Sequence, residues 1–198
     1  MHIEIEAKIK VDELETYARR AQKLGDANQR ETIQRDFFFD RPDRQLLTAG
    51  CGLRLRQETA SGGAQTNILC FKGPPGKDNK LKQRQEIEMP VTDAQQAQNL
   101  LEALGYQLFL TFEKRRRVWE LAGCEICLDH VAELGEYIEI EGPSEDAIDQ
   151  AAIAMGLEGY AHIHCSYAKL LTEQLQQQEG PNHRREVLLD RSALDMNI

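Results

Sequence analysis

Ile3-Glu4-Ile5-Glu6-Ala7-Lys8-Ile9 alternates aliphatic and charged side chains with a period of two. The stretch therefore predicts a β-strand with one apolar face and one ionic face. The same alternation recurs along the chain. Leu53 and Leu55 oppose Arg54 and Arg56; Leu69 and Phe71 oppose Lys72; Ile87 and Met89 oppose Arg84, Glu86 and Glu88. Further on, Lys114 and Arg116 share a face, Ile126 and Leu128 oppose Asp129, and Ile138 and Ile140 oppose Glu139 and Glu141. A solvated strand face normally mixes uncharged polar residues with charged ones, whereas these positions hold almost only ionisable groups.

Strands predicted over roughly 28–40, 50–60, 64–73, 81–90, 106–121, 124–132 and 136–142 join the first one. Asp12 with Glu15 reads as a capping box that opens a helix ending at Leu24, and further helices are expected over about 92–104, 144–155 and 166–178. Eight strands and few helices predict an α+β fold: an eight-stranded antiparallel β-barrel with helices packed outside, since closure removes exposed strand edges. The apolar set then faces the helices and the charged set faces a lumen. The barrel domain is expected over residues 1–172, with 173–198 as a helix end and polar tail. Gly73-Pro-Pro-Gly-Lys-Asp-Asn-Lys80 reads as a flexible loop; it is no phosphate-binding loop, because Asp78 follows Gly76-Lys77 where Ser or Thr is required.

At 198 residues, 41% hydrophobic and 29% charged, the composition is that of a globular protein. No apolar run approaches the roughly 18 residues of a membrane span, and the first residues lack a signal peptide's basic and apolar regions, so a cytoplasmic protein without a membrane partner is expected. A net charge of −9 argues against duplex nucleic acid as a partner. The local run Lys114-Arg-Arg-Arg117 suits a small polyanion instead. The five cysteines are expected as reduced thiols, and Cys124 and Cys127, three apart in a strand, point to opposite faces, the wrong geometry for a shared metal.

The inward-facing set comprises seven acids (Glu4, Glu6, Glu86, Glu88, Asp129, Glu139, Glu141) and seven bases (Lys8, Arg54, Arg56, Lys72, Arg84, Lys114, Arg116). Removing an unpaired ion from water costs several kcal/mol, so such a lumen must be wet, internally paired or built for an ionic ligand. Guanidinium forks and lysine point charges suit a small-molecule polyphosphate. Carboxylates clustered without histidine suit hard cations, Mg²⁺ or Mn²⁺. Together they predict metal-assisted phosphoryl or nucleotidyl transfer.

Glu4-x-Glu6-x-Lys8, Leu53-Arg54-Leu55-Arg56, Phe71-Lys72-Gly73-Pro74, Arg84-x-Glu86-x-Glu88, Lys114-x-Arg116, Leu128-Asp129-x-Val131, Leu134-Gly135, Glu139-Ile140-Glu141 and Ser166-Tyr167 follow one another in order. The set resembles the CYTH domain, or triphosphate tunnel metalloenzyme, family, and is most similar to its CyaB-like branch. The resemblance implies a tunnel barrel in which Glu4, Glu6, Asp129, Glu139 and Glu141 hold divalent metal, supported by Glu86 and Glu88. Lys8, Arg54, Arg56, Lys72, Arg84, Lys114 and Arg116 would contact phosphate, with Lys169 as a further basic contact. Glu4, Glu6 and Lys8 form the implied catalytic set. The family contains inorganic and thiamine triphosphatases and class IV adenylyl cyclases. The activity expected here is hydrolysis of tripolyphosphate or a small organic triphosphate such as thiamine triphosphate. The alternatives are conversion of ATP to cyclic AMP and pyrophosphate, and a non-catalytic polyphosphate-binding module.

Overall fold

β1 (His2–Val11) is buried on both sides: Ala7, Ile9 and Val11 on one face, Glu4, Glu6 and Lys8 on the other. A strand with two buried faces lies between two packed layers, and the rest of the chain supplies them. The structure, a computed structural model, describes residues 2–25, 30–76, 80–180 and 185–190. β2 (Arg30–Asp40), β3 (Gly52–Ala60), β4 (Gln65–Lys72) and β5 (Lys82–Pro90) form an antiparallel run that ends beside β1. β8 (Gly135–Glu141), β7 (Cys124–Val131) and β6 (Gln107–Leu121) continue on its other side, and β6 pairs with β2 to close an eight-stranded antiparallel barrel.

The helices cover the outside, and the core lies between them and the barrel. α1 (Leu14–Leu24) and α4 (Glu145–Met155) pack Leu14, Ala18, Ile148 and Met155 against Ala7, Ile126, Ile138 and Ile140. α3 (Ala94–Ala103) sets Leu101 on Phe39, Leu53 and Leu55. α5 (Tyr167–Glu179) packs Leu171 and Leu175 with Leu110, Phe112 and Val131, which share the lumen-facing parity of Lys114 and Asp129. Full burial of such a side chain contributes about 1.5–3 kcal/mol, so these apolar clusters supply the driving force that the ionic part of the lumen does not. Cys124 belongs to the outer core, where a Cβ on Gly142 would come within 2.6 Å of its Sγ, while Cys127 lies inside against Arg116 and Glu139.

Three helices start within a residue or two of the bounds expected from sequence, where Asp93, Ser144 and Ser166 each accept an N–H from the first turn. The fourth is not capped this way. Asp12 makes no capping box; Glu13 is the N-cap residue, and the Leu14 N–H donates to Glu136 Oε2 at 2.6 Å, so a carboxylate from β8 satisfies the helix end. Nor are all outward apolar residues covered, since Ile87 and Met89 on β5 remain about half exposed among the described residues.

Two small elements lie outside the sequence expectation. α2 (Gln45–Thr48) is a single turn whose Leu46 and Leu47 N–H groups donate to Asp40. β9 (Glu186–Val187) brings the tail back, parallel to Thr111–Phe112 of β6, just where the pairing of β7 with β6 has stopped at Lys114. Val187 and Leu189 are buried there, and α5 runs unbroken across residue 172. Residues 77–79 of the Gly73–Lys80 loop, and 181–184 and 191–198 of the tail, lie outside the described residues. No helix is long and apolar enough to cross a membrane among the described residues.

Candidate active site

The ionic faces of the strands meet in a cavity of about 270 Å³. Pockets for drug-sized ligands run roughly 300–1,000 Å³, so this one suits a compact ion. Lys8, Arg54, Arg56, Lys72, Lys82, Arg84, Lys114 and Arg116 line it, with Glu4, Glu6, Asp36, Glu86, Glu88, Glu139 and Glu141 among them. Arg115 and Arg117 have the opposite parity and pair outside the barrel with Glu31 and Glu15.

Strand register sets the pairing. Across β1 and β5, Glu4 stands opposite Arg84 and Glu6 opposite Lys82. Arg84 Nε donates to Glu4 at 3.2 Å, Lys72 bridges Glu4 and Glu86, and Lys82 donates to Glu6. Across β2 and β3, Arg56 grips Asp36 through Nε at 2.6 Å and Nη2 at 2.8 Å, the forked geometry of a strong charge-assisted pair. Arg54 reaches Glu88 at 3.3 Å, and its buried Nε has no hydrogen-bond partner among the described residues. Deeper in, Asp129 is fully buried and accepts from Lys114, Arg116 and the Tyr167 hydroxyl. Arg116 also donates to Glu139, which pairs with Lys8 at 3.1 Å. The first turn of α5 faces the cavity, and the Tyr167 ring lies 4.2 Å from Lys8 Nζ and 5.0 Å from Lys114 Nζ.

The electrostatics separate two kinds of carboxylate. Burial and Glu139 push the Glu6 carboxyl up, but Lys8, Lys82 and Lys72 outweigh them and hold it down to about 2. Burial likewise opposes ionisation of Asp36, Asp129 and Glu139, yet Arg56 and Arg54, then Arg116 and Lys114, then Lys8 and Arg116, hold them below the usual range. Glu141 goes the other way. Burial, with Glu4, Glu86 and Glu6 adding repulsion against the pull of Lys72, raises it to about 7. Among the lysines, burial depresses Lys82 and Lys114 to about 8, although Glu6 and Asp129 pull in the opposite direction.

Of the expected metal-binding carboxylates, Glu4, Glu86 and Glu141 come together, with ligand oxygens within 4.8 Å of one another. An all-oxygen, partly buried set with one carboxyl whose ionisation is opposed by burial and by its carboxylate neighbours is the chemistry a hard divalent cation relieves. Glu88 joins Glu86 and the Cys70 thiol in a second group. Within the first group Glu4 and Glu86 share Lys72, and Glu4 also pairs with Arg84; outside it, Glu6, Glu139 and Asp129 sit against other lysines and arginines, and Asp129 stands behind Lys114 and Arg116 without lining the cavity. All the expected phosphate contacts line the cavity except Lys169. Its side chain is 52% exposed and pairs with Glu173, because Tyr167 faces inward and Lys169 lies about 200° further round the helix.

Asp36, Lys82 and Tyr167 also belong to the site. Lys82 shares the parity of Arg84, Glu86 and Glu88, so extending that count by one step would have found it. Asp36 carries no such signal: Arg35 and Asp36 put opposite charges on both faces of β2, and parity alone cannot choose between them.

The family described as the CYTH domain matches residues 2–158. The adenylate cyclase CyaB of Aeromonas hydrophila is 26% identical over 144 residues, 72% of this chain and 70% of that protein. The PH1819 protein of Pyrococcus horikoshii superposes with a TM-score of 0.74 at 29% identity, covering 86% of this chain and 99% of its own. HpAC1 of Hippeastrum, described as having a dominant triphosphatase activity, shares the fold at 18% identity and a TM-score of 0.64, over 86% of this chain and 96% of its own.

Proposed function

From a chain that belongs to the CYTH domain family, we propose a divalent-metal-dependent hydrolase of triphosphates, acting on inorganic tripolyphosphate or a small organic triphosphate such as thiamine triphosphate. The observation that carries this reading is the ion-for-ion lumen, in which buried lysines and arginines are held by buried carboxylates inside a closed barrel. Buried pairs of this kind are a poor stability device compared with apolar packing. They make sense as a site of ion exchange. Phosphate oxygens take over Arg54, Arg84 and Arg116 through forked hydrogen bonds, while Arg56 stays on Asp36 and offers its remaining N–H donors, and the carboxylates so released become oxygen ligands. A triphosphate carried with divalent cations preserves the charge balance of the lumen throughout.

Glu4, Glu86 and Glu141 would hold the Mg²⁺ or Mn²⁺, with Glu6 and Glu139 available once their lysines turn away. Such an ion, when bound, polarises the phosphoryl group and lowers the pKa of its water. Lys8 and Lys114, steadied by the Tyr167 ring and by Glu139 and Asp129, would neutralise charge at the reacting phosphate.

A second reading, cyclisation of ATP, is favoured by the name of the Aeromonas relative. The aromatic lining supports hydrolysis instead. Phe38 and Phe112 are stacked on each other at 5.6 Å, and the Tyr167 ring is in contact with Lys8 and Lys114, so one face of each phenylalanine and the Tyr167 ring are occupied before any base arrives. Product analysis with tripolyphosphate and ATP, each with Mg²⁺ or Mn²⁺, tests the choice. Orthophosphate with pyrophosphate from tripolyphosphate is the expected result; cyclic AMP with pyrophosphate from ATP overturns it in favour of cyclisation, and binding without turnover in favour of a binding module.

A further inference from the structure

We propose that Lys82 is a positioning residue that keeps Glu6 out of the metal site until a phosphate anion draws its ammonium away, making divalent-metal binding conditional on an occupied cavity. The inference rests on the reading of the lumen as a phosphate and metal site, and it adds an order of events to that reading.

The register places Glu6 directly between two very different neighbours. On one side its ladder partner is Lys82 of β5, and on the other it is Glu141 of β8. Glu141 lies in the carboxylate group with Glu4 and Glu86, one strand away, yet the Glu6 carboxylate is taken by Lys82, with Lys8 at 3.9 Å on the same oxygen. A metal ion that recruited Glu6 would have to stand beside that ammonium, and like charges a few ångströms apart in a site of low dielectric repel strongly. The ammonium has an alternative only when an anion is present. Lys82 lines the cavity with a side chain 5% exposed, and a flexible four-carbon stem lets its head turn from carboxylate to phosphate without backbone movement. Arg56 lacks that freedom, since its planar fork is committed at two points to Asp36. Phosphate binding therefore does two things at Lys82: it satisfies the ammonium and uncovers a carboxylate beside the metal group.

The latch predicts effects of opposite sign, which a merely structural lysine would not produce. In Lys82→Met and Lys82→Gln, Mn²⁺ binding to the phosphate-free full chain, followed by the electron paramagnetic resonance of free Mn²⁺, should tighten at least tenfold. Binding of tripolyphosphate in chelator, followed by calorimetry, should weaken at least tenfold. Lys82→Arg should keep wild-type Mn²⁺ binding, and adding Glu6→Gln to Lys82→Met should erase the gain. Unchanged or weaker Mn²⁺ binding in a folded Lys82→Met or Lys82→Gln chain overturns the proposal. The wild-type chain offers a test independent of either variant: Mn²⁺ should bind at least tenfold tighter in saturating sulfate than in chloride of equal ionic strength, and equal affinity in the two overturns the latch. None of these measurements uses turnover. A chain that shows them without hydrolysing tripolyphosphate would refute the hydrolase and leave the latch standing.

Discussion

Asp36→Asn separates stability from affinity, because the carboxylate it removes is the counter-ion of two cavity arginines. Asp36 is 1% exposed, accepts both bonds of the Arg56 fork and lies 3.8 Å from Arg54 Nη1. Asparagine keeps one acceptor but leaves a buried positive charge without compensation, a change that costs about 3–5 kcal/mol at fully buried pairs. The Arg54 and Arg56 side chains are 13% and 10% exposed to the cavity, so water relieves part of this and the lower end, about 3 kcal/mol, applies. For a chain of this size that is a fall in Tm of about 6–12 °C in chelator. The same uncompensated arginines should bind tripolyphosphate more tightly, by about tenfold for one additional charge-assisted interaction of roughly 1.5 kcal/mol. Thermal melts in EDTA, with and without tripolyphosphate, read both effects. The wild-type carboxyl is held well below its usual range, so its stabilisation is present above the ordinary aspartate pKa and is lost only as pH falls through the depressed value. The gap between the two proteins should therefore stay constant from pH 8 to about pH 5. An unchanged Tm, or a lower Tm without tighter tripolyphosphate binding, would refute the assignment of Asp36 as the counter-ion of a phosphate site.

Metal binding should be pH-dependent through Glu141, raised to about 7 by burial and neighbouring carboxylates. Mn²⁺ must displace its proton, so the affinity should rise about tenfold per pH unit well below 7 and level off above, with the protons released per ion bound falling from about one near pH 5 towards none at pH 8 in a weakly buffered titration. A flat profile between pH 5 and 8 would remove Glu141 from the metal group. Glu4→Gln should cut metal-dependent turnover by at least ~100-fold, equivalent to about 2.7 kcal/mol of transition-state stabilisation, while far-ultraviolet circular dichroism stays that of the wild type. Turnover within threefold of wild type would contradict its role. Ending the chain at Gly180 removes the buried Val187 and Leu189 and should cost about 3 kcal/mol, or about 6–12 °C in Tm. A Tm within 2 °C of the full chain would show that β9 adds nothing to the barrel.

The barrel was legible because its signal is local and repeated. A period of two that sorts ions from aliphatics can be read on one strand at a time, and six strands share it, β6 differing because Arg115 and Arg117 put charge on its outer face as well. Element boundaries followed wherever the cap was itself local, as at Asp93, Ser144 and Ser166. Where the partner came from elsewhere, the reading failed: the amide that opens α1 is met by Glu136, more than a hundred positions away, so nothing near Asp12 could reveal it. β9 is two residues long and has no period to read.

The membership of the charged lumen was legible for the same local reason, but its division of labour was not. Which carboxylate is free and which is neutralised depends on the strands beside it, and β1 lies between β5 and β8, neither adjacent to it in sequence. That placement puts Lys82 on one flank of Glu6 and brings Glu86 and Glu141 to Glu4 from opposite sides. Glu4 and Glu6, two residues apart with the same chemistry and parity, thus acquire different surroundings: Glu4 shares Lys72 with Glu86 inside a carboxylate group, whereas Glu6 is held outside it by Lys82 and Lys8. On the proposed reading, cross-strand neighbours determine whether an acid on this lumen wall serves as a ligand or as a counter-ion, and Lys82→Met tests that distinction at Glu6.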